Sequence, residues 1–353
     1  MILMALDHAM AFSYFHIWAE GFQGTRPSPL PDVVHYLTRF VTHWCAPTFV
    51  FLAGLSVALY TLSRRSQGLT EGQITRKLVT RGLLLIALQL TVVNLTWGFG
   101  VSEGWNLVYF GVLACIGSGL VVLAFTRRLP VPLLTGGSVL LLLLMPFALR
   151  ALPLPSGADH PLLEILLQPD KDGWLAVNYP VLPWLGVMGL GCGLGFLVGV
   201  RPERTTRLFL FLGALLLGLW LPVRLLGGYG NLTPYQGGDW RDLMLMSKYP
   251  PSLVFLMWTL GGMALTVAVH HLLADRLRPT RFWSLVTLFG QVPLFFYVVH
   301  LVLYRALGFL PFLRGSLAAG YLAWLVGLAV VAPLCCGYRA LKRRYPQSLL
   351  QYV

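Results

Sequence analysis

The chain has 353 residues, of which 57% are hydrophobic and only 11% charged, and 37 glycines add to the apolar share. A soluble domain carries about a quarter charged residues and roughly 45–50% apolar residues with glycine included, so the composition excludes a soluble globular enzyme and a disordered chain. The net charge of +13 would point to nucleic acid in a soluble protein, but membrane proteins collect Lys and Arg on cytoplasmic loops, and no basic stretch here is interleaved with exposed aromatics.

The apolar runs predict an all-α, polytopic transmembrane bundle of about ten spans: 1–18, 44–63, 82–99, 106–126, 130–149, 179–200, 208–226, 252–272, 284–304 and 318–338. Backbone groups in lipid must be satisfied within the segment, so each run is expected to be a helix. The first run is barely long enough. Eighteen residues rise about 27 Å against a hydrocarbon core of about 30 Å, and an origin upstream of Met1 is expected. Residues 1–353 read as one transmembrane domain, without internal repeats.

Loop charge sets the orientation. Loops 64–81, 127–128, 201–207, 276–281 and 339–344 hold 17 basic residues against three acids once the adjoining Asp275 is counted. Loops 19–43, 99–105, 150–178, 224–251 and 305–317 hold 9 basic residues and nine acids. The positive-inside rule makes the first set cytoplasmic, with both termini. The five cysteines (Cys45, Cys115, Cys192, Cys335 and Cys336) show no CxxC pair or zinc spacing. Gly191, Gly195 and Gly199 form a small-residue stripe that predicts close helix packing.

Ionisable residues inside a membrane are costly and mark function. Asp7 and His8 lie in the first run and His16 near its outer end. Neighbours on a helix stand about 100° apart, so Asp7 and His8 point different ways, and a carboxylate in lipid needs a partner or a proton. The second run opens with Arg39, His43 and Trp44. Asn94 and Trp97 end the third, Asn106 starts the fourth, Pro183-Trp184 opens the sixth, Lys248 precedes the eighth, and His300 lies in the ninth. His16, His43, Asn94, Asn106, Lys248 and His300 come from different spans but share a depth. For any one histidine, an interfacial anchor competes with a functional role, and Trp184 fits an aromatic belt as readily as a substrate platform. Histidine titrates near neutrality and suits proton transfer. His8, His16 and His43 lack HxxxH or HExxH spacing, so no metal is expected.

Several segments resemble the transmembrane acyltransferases related to heparan-alpha-glucosaminide N-acetyltransferase. They are Met4 to His8, Tyr14-Phe15-His16, Arg39 to Gly54, Tyr179 to Gly186, Ser247 to Leu253 and Phe289 to His300, spread over nearly the whole chain. The resemblance implies acetyl transfer from cytoplasmic acetyl-CoA to an amino sugar across a bacterial inner membrane, by an asparagine and a histidine in the first helix and the loop after it. The histidine maps to His16. The asparagine falls at or beside His8, where this chain has Asp7-His8 instead.

The expected reading is an integral-membrane acyltransferase. His16 is the general base, Asp7 and His8 orient it or bind the acceptor, and His43, Asn94, Asn106, Trp184, Lys248 and His300 line the substrate site. Arg64, Arg65, Arg76, Lys77 and Arg81 would attract the CoA phosphates, although the positive-inside rule alone accounts for them. Membrane lipid and a sugar or glycolipid acceptor are the expected partners, and a homodimer is open. The alternatives are a proton-coupled transporter of a small or lipid-linked solute and a non-enzymatic membrane assembly protein.

Overall fold

The computed structural model describes residues 1–13, 19–99, 107–152, 160–171, 173–277 and 280–352. The helices follow the chain as α1 (Ile2–Ser13), α2 (Val33–Phe40), α3 (Cys45–Ser66), α4 (Glu71–Leu88), α5 (Asn94–Trp97), α6 (Val112–Thr126), α7 (Val131–Ala151), α8 (Pro161–Leu166), α9 (Val181–Val200), α10 (Thr205–Leu226), α11 (Trp240–Met244), α12 (Leu253–Leu277), α13 (Arg281–Gln291), α14 (Pro293–Leu307) and α15 (Leu317–Arg344). Four short strands, β1 (Gly21–Phe22), β2 (Val108–Phe110), β3 (Leu175–Val177) and β4 (Ser247–Tyr249), form two parallel pairs, β1 with β4 and β2 with β3.

Among the described residues, seven helices are long and apolar enough to cross a membrane, and α13 with α14 makes an eighth if the bent pair counts as one span. Two shorter apolar helices, Ile2–Ser13 and Val112–Thr126, complete the ten runs read from the sequence. The protein is an integral membrane helix bundle. Local signals start its helices. Thr70 opens α4 with a reciprocal capping box, its hydroxyl accepting from the Gln73 backbone N–H while the Gln73 side-chain oxygen Oε1 accepts from the Thr70 N–H. Asp32 caps α2 by accepting from the Val34 and His35 amides.

The bundle is built around α3 and α9, its most extensively packed pair. Glycine makes the approach feasible. A Cβ on Gly54 would fall 1.8 Å from the Met188 carbonyl oxygen, and one on Gly191 would fall 2.1 Å from that of Phe51. Gly195 and Gly199 continue the contact along Leu55, Ala58 and Leu62, as the small-residue stripe predicts. α7, α10 and α15 turn many large apolar side chains outward, as lipid contact requires.

Three expectations need correction. The ninth run, 284–304, is not one straight helix. It bends by 93° between Gln291 and Pro293, because Pro293 has no N–H and disfavours helical backbone at Val292. The helix of the fourth run begins at Val112, six residues later than read. Two side chains hold the preceding segment extended. The Asn94 amide donates to the Leu107 carbonyl (3.2 Å) and accepts from the Tyr109 N–H (2.7 Å), while Gln89 donates to the Tyr109 carbonyl (3.2 Å). Third, loop 19–43 contains α2, which leads through a 3-10 turn (Val41–Trp44) directly into α3. A π-helical turn at Gln89–Val93 carries Gln89, and such turns recur at functional sites.

Candidate active site

Asp7 and His8 leave α1 in different directions, as adjacent helical residues must. Asp7 turns toward the α2–α3 junction. There it pairs with the Arg39 guanidinium and accepts from the Thr42 hydroxyl at 3.0 Å. The costly carboxylate in the first run therefore has a cation and a hydroxyl beside it.

His8 turns toward α14. Its Nδ1 lies 2.8 Å from Nε2 of His300, and the two rings stack with centroids 5.0 Å apart. The other ring nitrogen of His300, Nδ1, stands 2.5 Å from the Phe296 carbonyl. A carbonyl oxygen can only accept, so His300 carries its proton on Nδ1. In the neutral ring its Nε2 is then an acceptor, and His8 donates to it from Nδ1. That leaves the lone pair of His8 on Nε2, which has no hydrogen-bond partner among the described residues. Trp97 and Tyr297 stand edge-on to the same imidazole, with centroids at 5.6 and 6.0 Å. With its tautomer fixed from behind and no partner on Nε2 among the described residues, His8 can accept a proton at that atom.

Arg39 joins α1 to the loop after it. Besides Asp7, its guanidinium holds Glu20, through Nε at 3.0 Å and through Nη2. Glu20 also accepts from Nε2 of His43 (3.3 Å) and from the Ala19 N–H (3.1 Å). Burial by itself would raise the Glu20 carboxyl, but Arg39 and His43 beside it hold it well below the usual carboxylate range. Immediately after Glu20, β1 pairs with β4, which carries Lys248 and Tyr249. A Cβ on Gly21 would meet Thr233, in the loop before β4, at 2.5 Å and the Ser247 Cα of β4 at 3.3 Å. The Lys248 side chain is 3% exposed, and its ammonium lies 5.2 Å from the centre of the Tyr249 ring. The Tyr249 hydroxyl lies 3.4 Å from that of Tyr179, whose ring packs on Trp184 at 5.4 Å.

A sequence profile of the heparan-alpha-glucosaminide N-acetyltransferase catalytic domain matches residues 2–222, more than half of the chain. The chain belongs to this family. The matched stretch carries Asp7, His8, Glu20, Arg39 and His43, and it ends before Lys248 and His300. No curated protein matches the sequence. Membership and the apolar helices together make this a membrane acetyltransferase-like protein.

Within this N-acetyltransferase-family chain, the structure brings together Asp7, His8, His43, Lys248 and His300. His16 and Asn106 lie outside the described residues. Asn94 commits its amide to the backbone of residues 99, 107 and 109 and so shapes the wall of the site. Trp184 is fully buried, which makes it part of the packing behind Tyr179 and removes it from both the lipid interface and an open platform. Arg65 and Arg127 converge on Glu71, so part of the basic set opposite the site is spent on holding loops together. Among the described residues, no three His, Cys, Asp or Glu side chains stand close enough to hold a metal. Glu20, Thr42 and Tyr297 were not singled out from the sequence. A signal for Glu20 was present: Arg39 and His43 are four apart at the start of a span and call for a buried acid.

Proposed function

We propose that this protein moves an acetyl group from acetyl-CoA to a sugar or amino-sugar acceptor at a site on the non-cytoplasmic side of a bacterial inner membrane, with both termini cytoplasmic. The observation that carries the reading is the His8–His300 pair within a chain of this family. The acceptor nitrogen or oxygen attacks the thioester carbonyl, and the Nε2 lone pair of His8 takes the acceptor proton as the new bond forms. The C–S bond breaks, and the thiolate of CoA takes up a proton to leave as the thiol. His300 accepts from His8 Nδ1 and steadies the imidazolium that develops. Arg39 and Asp7 hold the adjacent wall of α1 in place. Two histidines are therefore candidates for the base: His16 by the resemblance and His8 by its geometry.

The test is transfer of label from radiolabelled acetyl-CoA by the purified protein to a panel of amino sugars and polyprenyl-linked sugars. Labelled product with any acceptor supports the proposal. Absence of transfer to every acceptor, together with solute uptake by proteoliposomes lacking acetyl-CoA, would replace it with a transporter.

A further inference from the structure

Two tyrosines of α14 flank His300 on one side of the helix, Tyr297 three residues before it and Tyr304 four after. Both stand edge-on to its imidazole, with ring centroids at 5.7 and 5.9 Å. Their hydroxyls differ. That of Tyr304 donates to the Trp324 carbonyl at 3.0 Å and so ties α14 to α15. That of Tyr297 has no hydrogen-bond partner among the described residues, although the residue is only 8% exposed. The phenols nearby are engaged. Tyr109 accepts from the Asn178 amide at 3.2 Å, and the Tyr179 and Tyr249 hydroxyls lie 3.4 Å apart. A buried O–H without an acceptor is unfavourable unless a bound molecule supplies one.

The position of Tyr297 says which atom that is. Its ring centroid lies 6.0 Å from that of His8. A nucleophile about 3 Å from Nε2 of His8 and about 3–3.5 Å from the carbon it attacks puts the thioester carbonyl about 6 Å from that nitrogen, within range of the Tyr297 hydroxyl. We propose that Tyr297 is a catalytic residue whose O–H donates to the carbonyl oxygen of the thioester, beside the His8–His300 pair. This rests on the transferase reading above. As the acceptor lone pair forms the new C–N or C–O bond, the carbonyl π pair moves onto oxygen. Tyr297 stabilises the charge there and keeps its own proton. The pair returns to carbon as the C–S bond breaks and CoA leaves, while the acceptor proton goes to His8. Tyr304 cannot take this part, because its O–H is already spent on Trp324.

The test compares wild type, Tyr297→Phe and Tyr304→Phe, each as the full chain in detergent, by melting and by steady-state transfer from labelled acetyl-CoA. The acceptor is whichever sugar of the panel above the wild type acetylates fastest. Tyr297→Phe removes one oxygen that bonds to no described residue, so it should melt with the wild type. Its kcat should fall about 10²–10³-fold, the worth of one oxyanion donor. The KM for acetyl-CoA should hold, because the bond strengthens only as charge develops. Tyr304→Phe should show the reverse, a lower melting temperature with kcat retained. Four results would overturn the inference while leaving the transferase reading in place. They are an unchanged kcat in Tyr297→Phe, a raised KM with kcat retained, a melting temperature clearly below that of the wild type, or an equal loss of kcat in Tyr304→Phe. The last would mean that either change acts through the packing of His300. Wild-type protein that transfers nothing to any acceptor would remove the transferase reading and this inference with it.

Discussion

Replacing Glu20 with Gln keeps the shape of the side chain and deletes its charge. In the wild type this carboxylate is 1% exposed and receives two bonds from Arg39, one from His43 and one from a backbone N–H. Removing one partner of a buried pair costs about 3–5 kcal/mol. Asp7 still accepts from Arg39, so the low end, about 3 kcal/mol, is expected. At about 2.1 cal/mol/K of unfolding entropy per residue, a chain of 353 residues shifts by about 1.3 °C per kcal/mol, so the variant should melt about 4 °C lower. The sign of the pH dependence follows from Glu20 lying well below its ordinary value of 4.5 in the folded protein. Its contribution is complete above that ordinary value and is lost as pH falls through the depressed one. The gap between wild type and Glu20→Gln should therefore be full at neutral pH and close only in strong acid. Tryptophan-fluorescence melting in detergent across pH reads both. Coincident curves at neutral pH, or a gap that widens on acidification, would refute the role assigned to Glu20.

Gly54→Ala puts a methyl 1.8 Å from the Met188 carbonyl, and overpacking of about 1–3 kcal/mol or more should sharply reduce the yield of folded protein. Gly136→Ala has open space around it and should be neutral in the same expression assay. Arg224 is fully buried and donates to the carbonyls of Thr233, Asp242, Leu243 and Leu245 and to the Asn231 side chain. Lysine cannot reproduce that planar fork, so Arg224→Lys should expose residues 227–246 to protease nicking while the helices stay protected. Reporter fusions at 160 and 235 should read outside, and those at 70 and 204 inside. An inside signal at 160 would overturn the orientation.

Hydropathy and loop charge made the ten runs legible because both follow from the bilayer, which acts on every span alike. The glycine stripe was legible because a helical repeat of four places small residues on one face of α9. The bend at Val292 was signalled by Pro293, but proline inside an apolar run is common in membrane bundles, and sequence alone does not separate a tolerated proline from a break. Asp7 was readable as needing a partner, yet the identity of that partner depends on a loop folding back to bring Glu20 and Arg39 to it. His8 and His300 are 292 residues apart, and the shared depth read from the sequence took in His300 but not His8. The tautomer that frees Nε2 of His8 rests on one carbonyl, that of Phe296, a detail of α14 that no sequence pattern carries. Trp184 misled because its position at a helix start fits the aromatic belt, whereas tertiary packing seals it behind Tyr179.

The most direct measurement compares single-turnover acetyl transfer from labelled acetyl-CoA by wild type, His8→Ala and His16→Ala, each purified and matched for melting behaviour. If the base is His8, held by His300, the wild type forms labelled product and His8→Ala forms it about 10²–10⁴-fold more slowly, the usual worth of a positioned proton acceptor. A His8→Ala protein that turns over at the wild-type rate would contradict the account, as would wild-type protein that transfers no acetyl group at all.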